Sequence, residues 1–144
     1  MTVRDILRSK GESVVTTTPE TPVTEAMRVL VRHNIGALVV VSDEAIRGIV
    51  SERDLLRAGA EDLNRLATTR VQELMTSEVI TAAPDADLRS LMDTMTEHRI
   101  RHLPIVEGGQ LRGMVSIGDV VNALRQSTET ENQYLHAYIA GTPL

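Results

Sequence analysis

The chain has 144 residues, of which 42% are hydrophobic and 24% charged, and its formal net charge is −5. That size suits one domain or two very small ones, and the acidic balance argues against general polyanion binding, which takes a basic face. Cysteine, phenylalanine and tryptophan are absent. Disulfides, thiolate metal sites and cysteine nucleophiles are therefore excluded, and the body of the chain has no aromatic platform for stacking bases.

In chain order, Val3 to Arg8 reads as a short helix. Val14-Val15-Thr16 is β-branched and strand-like. Thr21 as N-cap and Pro22 in the first turn then open a helix with the apolar face Val23, Ala26, Met27, Leu30 and Val31. After Gly36 the continuous run Ala37 to Val41 fits a strand covered on both faces. A polar turn, Ser42 to Ala45, leads back through a strand over Ile46 to Val50, and a helix runs from Glu52 through Ala58. Residues 61–70 read as a polar connector, in which Thr69 and Gln72 have capping-box spacing before a helix over Val71 to Met75. The order then recurs: a helix face of Leu88, Leu91, Met92 and Met95, a strand Leu103 to Val106, a Gly108-Gly109 turn, a strand Leu111 to Val115, and a helix from Gly118 to Arg125. The tail, residues 127–144, carries Tyr134, Leu135, Tyr138 and Ile139 on one helical stripe, the kind of aromatic-bearing face that suits an interface with a second copy.

The recurrence is a true duplication. Residues 14–59 align with 79–124 at a constant offset of 65 without a gap. Of the 46 pairs 14 are identical, among them Thr16/Thr81, His33/His98, Gly48/Gly113, Ser51/Ser116 and Asp54/Asp119; unrelated segments would share roughly 3. Each copy reads strand, helix, strand, strand, helix, and a unit of about 60 residues is marginal alone, so the two are expected to share a buried interface.

The sharpest repeated feature is Gly48-x-x-Ser51-x-x-Asp54, mirrored as Gly113-x-x-Ser116-x-x-Asp119. One reading is helix capping, with each aspartate favourable against the helix dipole. The other is ligand binding: a helix N-terminus offers N–H groups to an anion, the serine adds a donor, and the carboxylate accepts a vicinal diol such as that of ribose.

The chain resembles a tandem pair of CBS (cystathionine-β-synthase) domains. Gly-Ile-Val-Ser-Glu-Arg-Asp at 48–54 and Gly-Met-Val-Ser-Ile-Gly-Asp at 113–119 close the copies. His-Asn-Ile-Gly-Ala-Leu at 33–38 and His-Arg-Ile-Arg-His-Leu-Pro at 98–104 resemble the family's approach to the second strand. The likeness spans about residues 2–126. It implies an α+β fold in which two βαββα repeats, residues 2–60 and 71–126, pack through their sheets about a pseudo-twofold axis. It also implies two clefts for an adenosine nucleotide, AMP or NAD(H) foremost, with ADP, ATP and S-adenosylmethionine as lesser options. By the same resemblance Asp54 and Asp119 are the ribose acceptors, Ser51 and Ser116 the hydroxyls near sugar and phosphate, and Thr16 and Thr81 the threonines that close over the nucleoside. Arg101 and His102, with Arg53 on the rim, are the phosphate contacts. The first copy departs from this pattern: Gly36-Ala37 stand where the second has Arg101-His102, and Gly118 stands where the first has Arg53. The two clefts are therefore expected to be unequal.

The same side chains have plainer readings. Arg101 suits a solvated strand, His102 a packed core position, and His33 and His98 the C-terminal ends of helices. Four histidines without a recognised ligand spacing give no metal site. No Gly-x-Ser-x-Gly elbow, Walker loop or nucleophile–base pair is present, so no catalytic residue is expected. No leader-like run opens the chain, and its longest apolar run is too short to span a bilayer. The expectation is a cytoplasmic, non-catalytic regulatory homodimer that acts on a further protein in trans, without nucleic-acid or membrane partners. The alternative is a dimerisation scaffold with vestigial clefts.

Overall fold

The computed structural model describes residues 1–127; the expected tail helix bearing Tyr134, Leu135, Tyr138 and Ile139 lies outside them. Each copy is built on an antiparallel hairpin. In the first, β2 (Ala37–Ser42) pairs with β3 (Ala45–Ser51), and Ala37 faces Ser51. In the second, β4 (His102–Glu107) pairs with β5 (Gln110–Ser116), and His102 faces Ser116. The register slips between Val40 and Val41 and again between Ile105 and Val106, the same place in both copies. The turns also match in conformation. Gly108 and Gly109 take φ of 59° and 76°, and Asp43 and Glu44 hold the same left-handed region at 53° and 61°, which hairpin turns of this length demand.

The helices α2 (Val23–His33) and α5 (Leu88–His98) cover these hairpins with Val23, Ala26 and Leu30, and with Leu88, Leu91 and Met95. α2 starts one residue later than expected: Pro22 is the N-cap, and the Thr21 hydroxyl is instead 2.7 Å from that of Thr18. Each copy's last helix follows its hairpin directly, α3 (Glu52–Glu61) in the first and residues 117–127 in the second. The first strand is short. β1 (Thr16–Thr17) runs parallel to β2, opposite Val39 and Val40, and the second copy keeps a single bridge between Ala82 and Ile105. Pro104 stands where Val39 does and has no N–H for a further rung.

The helices that precede the copies cross over. α1 (Val3–Lys10) puts Val3, Ile6 and Leu7 into the core of the second copy, with Leu103, Ile105 and Val115. α4 (Val71–Leu74) packs Val71 and Leu74 into the core of the first, with Leu38, Val40 and Val50. The backbone makes the exchange explicit. Val3 N–H donates to Ala86 O at 3.0 Å and Arg4 N–H to Pro84 O at 2.8 Å; Val71 N–H donates to Thr21 O and Gln72 N–H to Pro19 O, both at 2.9 Å. Val3 thus stands to Val71 as Leu7 stands to Met75 and Lys10 to Glu78. The stretch expected as connector is also structured: a 3-10 segment, Leu63–Thr68, buries Leu66 in the first core. The capping box of α4 falls on Arg70 and Glu73, where Arg70 N–H reaches the Glu73 carboxylate at 2.7 Å, and Thr69 donates its hydroxyl to Arg65 O.

Gly48 and Gly113 are the contact points of the crossing. A Cβ on Gly48 would lie 2.7 Å from Met75 Sδ and 2.8 Å from Thr76 O; a Cβ on Gly113 would lie 2.6 Å from Leu7 Cδ2. A side-chain methyl can turn away and a backbone carbonyl cannot. Gly48→Ala should therefore cost about 1–3 kcal/mol and Gly113→Ala distinctly less. Urea unfolding of the two variants checks the order; equal losses, or a larger loss at Gly113, would contradict it.

Candidate functional site

Both Ser-x-x-Asp steps are capping boxes. Ser51 N–H donates to Asp54 Oδ2 at 2.8 Å and the Ser51 hydroxyl to the same oxygen at 3.0 Å, while Asp54 N–H points back at Ser51 Oγ at 3.4 Å. Ser116 N–H reaches Asp119 Oδ2 at 2.9 Å, and Asp119 N–H reaches Ser116 Oγ at 3.1 Å. Capping does not consume the carboxylate. It fixes one oxygen at the helix start and leaves the other to project.

What distinguishes the two steps is their surroundings. Ser51, Arg53 and Asp54 line a cavity of about 640 Å³ together with Arg101 and His102 of the other copy. The walls add Arg57 and Arg99, the carboxylates of Glu52 and Glu78, and an apolar flank of Ile49, Val79, Ile80, Ile100 and Pro104. Four arginines against three carboxylates make this cavity locally basic in a chain of net charge −5. None of Arg53, Arg57, Arg99 and Arg101 is ion-paired to another described residue, whereas five of the ten arginines elsewhere, Arg4, Arg8, Arg28, Arg47 and Arg112, are. Arg99 is set by backbone as well as charge. It caps α5 in the left-handed region, φ 55° and ψ 43°, where an arginine is strained and Asn34 does the same task in the first copy.

His102 sits where the copies meet. Its ring would stand 3.1 Å from a Cβ on Gly36, with Glu52 Oε1 at 3.3 Å. The glycine that breaks the repeat thus makes room for the histidine that fills the same join. Burial holds the His102 pKa below its ordinary 6.5; Glu52 opposes this, Lys10 adds to it, and Asp119 and Arg101 act more weakly in opposite senses.

The other predicted residues lie apart from this cavity. Thr16 is exposed in β1, and Thr81 is exposed just beyond Ile80; neither lines the wall. Ser116 and Asp119 belong to the opposite side of the pseudo-twofold. There Lys10 Nζ donates to Asp119 Oδ2 at 2.7 Å and to Met114 O at 2.8 Å. Burial works against the charge on Asp119, yet the bonds from Lys10 and Ser116 hold its pKa below the ordinary 3.8. Sequence reasoning passed over Arg57 and Arg99. Arg57 follows Arg53 by one helical turn, a legible signal; Arg99 is placed by its cap, which the sequence does not announce.

Folding favours the neutral His102, so its contribution is complete above the ordinary value and is lost as pH falls through the lower folded value. The melting temperature of the wild type should drop between pH 7 and pH 5, and that of His102→Gln should drop less. Parallel profiles would contradict the assignment.

A family model described as CBS domain matches residues 3–61 and again residues 71–126. The CBS domain-containing protein CBSX3, mitochondrial, of Arabidopsis thaliana is 39% identical over 149 residues, covering 97% of this chain and 72% of that one. The crystal structure of a CBS-domain containing protein from Agrobacterium tumefaciens superposes with a TM-score of 0.83 at 40% identity, over 85% of this chain and 98% of that one. The CBS domain pair of protein MJ0100, solved in complex with 5-methylthioadenosine and S-adenosyl-L-methionine, gives a TM-score of 0.78 at 26% identity, over 88% and 98% of the two chains.

Proposed function

The chain belongs to the CBS-domain family, and on that premise we propose that it is a non-catalytic regulatory module that binds an adenosine nucleotide in the cavity between its copies. The observation that carries this reading is the pairing of a capped carboxylate, Asp54, with four guanidinium groups that no described acid neutralises. Asp54 is suited to the ribose diol, and the apolar flank of Val79, Ile80 and Ile100 to the base. Arg101, Arg99 and Arg53 are suited to phosphate.

The charge selects among the adenosine ligands. A solved relative holds 5-methylthioadenosine and S-adenosyl-L-methionine, which carry no phosphate, and the second of these is a sulfonium cation. Four free arginines favour AMP, NAD(H), ADP or ATP instead, with AMP or NAD(H) foremost. The ligand would touch Ser51 to Asp54 of one copy and Arg99 to His102 of the other, so it would hold the copies in one relative setting. It can shift that setting only by its differential affinity for the alternatives, and a partner protein in trans would read the result. The module acts in the cytoplasm as a homodimer in this reading. Leu56, which also lines the cavity, and Val121, at equivalent positions on the last helix of each copy, are 74% and 49% exposed and would belong to that interface.

Calorimetric titration with AMP, NAD⁺, ATP, adenosine and S-adenosylmethionine tests the proposal. Phosphate-bearing ligands should bind at least tenfold tighter than adenosine, and Asp54→Ala should weaken them by about tenfold or more. Arg101→Ala should shrink the phosphate preference. Binding that ignores both changes would sink the site, and no binding at all would leave the scaffold reading. Sedimentation of Leu56→Glu/Val121→Glu should give a monomer; an intact dimer would remove that face from the interface.

A further inference from the structure

We infer that Lys10 closes the second cleft, so that each chain takes one nucleotide and not two. The inference rests on the reading of the first cleft given above and concerns what makes its twin different. The duplication supplies the control. In the first copy the edge carbonyl of Ile49 accepts from the backbone N–H of Thr76 at 2.9 Å, and Ile49 N–H returns a bond to Thr76 O at 3.0 Å. The equivalent carbonyl in the second copy is Met114 O, and there the donor is the Lys10 ammonium at 2.8 Å. The crossing helices explain the substitution. α4 ends at Leu74, whereas α1 continues to Lys10, which stands where Glu78 stands in the other half.

Once on Met114 O, the same ammonium lies 2.7 Å from Asp119 Oδ2, which also takes the Ser116 N–H. A ribose diol needs the carboxylate as an acceptor with its charge unspent. Asp54 meets that requirement, for it is bonded only within its own capping box, and the position equivalent to Lys10 is Glu78, which lines the same cavity. Asp119 also keeps one oxygen, Oδ1, outside its capping box, but a tethered ammonium on Oδ2 already pairs its charge and makes it the weaker acceptor. The phosphate side of the second cleft is poorer as well: Gly36-Ala37 stand in place of Arg101-His102, and Asn122 in place of Arg57. Lys10 thus draws down the charge of the one ribose acceptor that the second cleft possesses.

The test is a gain of binding, which misfolding cannot imitate. AMP is titrated calorimetrically into the wild type, Asp54→Asn, Lys10→Met and Asp54→Asn/Lys10→Met, with the number of sites per chain as the readout. The expected result is one site in the wild type, none in Asp54→Asn, a second and weaker site in Lys10→Met, and one restored site in the double variant. Adding Asp119→Asn to the double variant should abolish that restored site. Two sites in the wild type would overturn the inference, as would one unchanged site in Lys10→Met, while leaving the first cleft as a nucleotide site; loss of binding in Lys10→Met would overturn it and the first-cleft reading together. Absence of AMP binding from every variant would overturn both readings together.

Discussion

Two glycines, Gly48 and Gly113, set how closely the crossing helices approach the hairpins, and much of the molecule follows from that approach. At each of them the incoming segment lies so near that a single added methyl would meet it below 3.0 Å. Because α1 fills the second core and the α4 segment fills the first, neither copy has a complete interior of its own. The exchange makes one body of two units that would be marginal alone. It also brings Lys10, the last residue of α1, and Glu78, beyond the end of α4, to the two Ser-x-x-Asp steps. The electrostatics of the clefts are therefore set by the packing that builds the cores.

The duplicated backbone places like beside like, and a few substitutions then separate the halves. Gly36 yields space to His102, and Arg101 has no equivalent in the first copy. Both changes enrich the same cavity, the one that Asp54 faces. Lys10 works in the same sense on the other side, since its ammonium pairs with the carboxylate that corresponds to Asp54. Symmetry of fold with asymmetry of charge suits a module that answers to one ligand by moving two matched halves against each other.

Much of this is legible in the sequence itself. The offset of 65 marks the two hairpins, their turns and the paired Ser-x-x-Asp steps, because these depend on local sequence and recur in it. The crossing of α1 and α4 was not legible: Val3, Ile6 and Leu7 say that a helix has an apolar face but not which copy it covers. Thr21 and Thr69 misled as caps because their hydroxyls found other partners, Thr18 and Arg65 O. The shortened first strand traces to Pro104, whose missing N–H matters only once the register is known. The Lys10–Asp119 pair joins residues more than a hundred positions apart, so it follows from the exchange and from nothing local.

The most direct test of the central claim is an amide chemical-shift map of the isotopically labelled chain titrated with AMP. The account predicts shifts concentrated at residues 51–54 and 99–102, two segments from different copies that line the first cleft. The amides of Lys10 and Asp119 should stay in place, whereas Ile117, whose N–H donates to Arg101 O at 2.8 Å, moves with the first cleft. Shifts centred on 116–119 with 51–54 silent, or no shifts at saturating AMP, would contradict it.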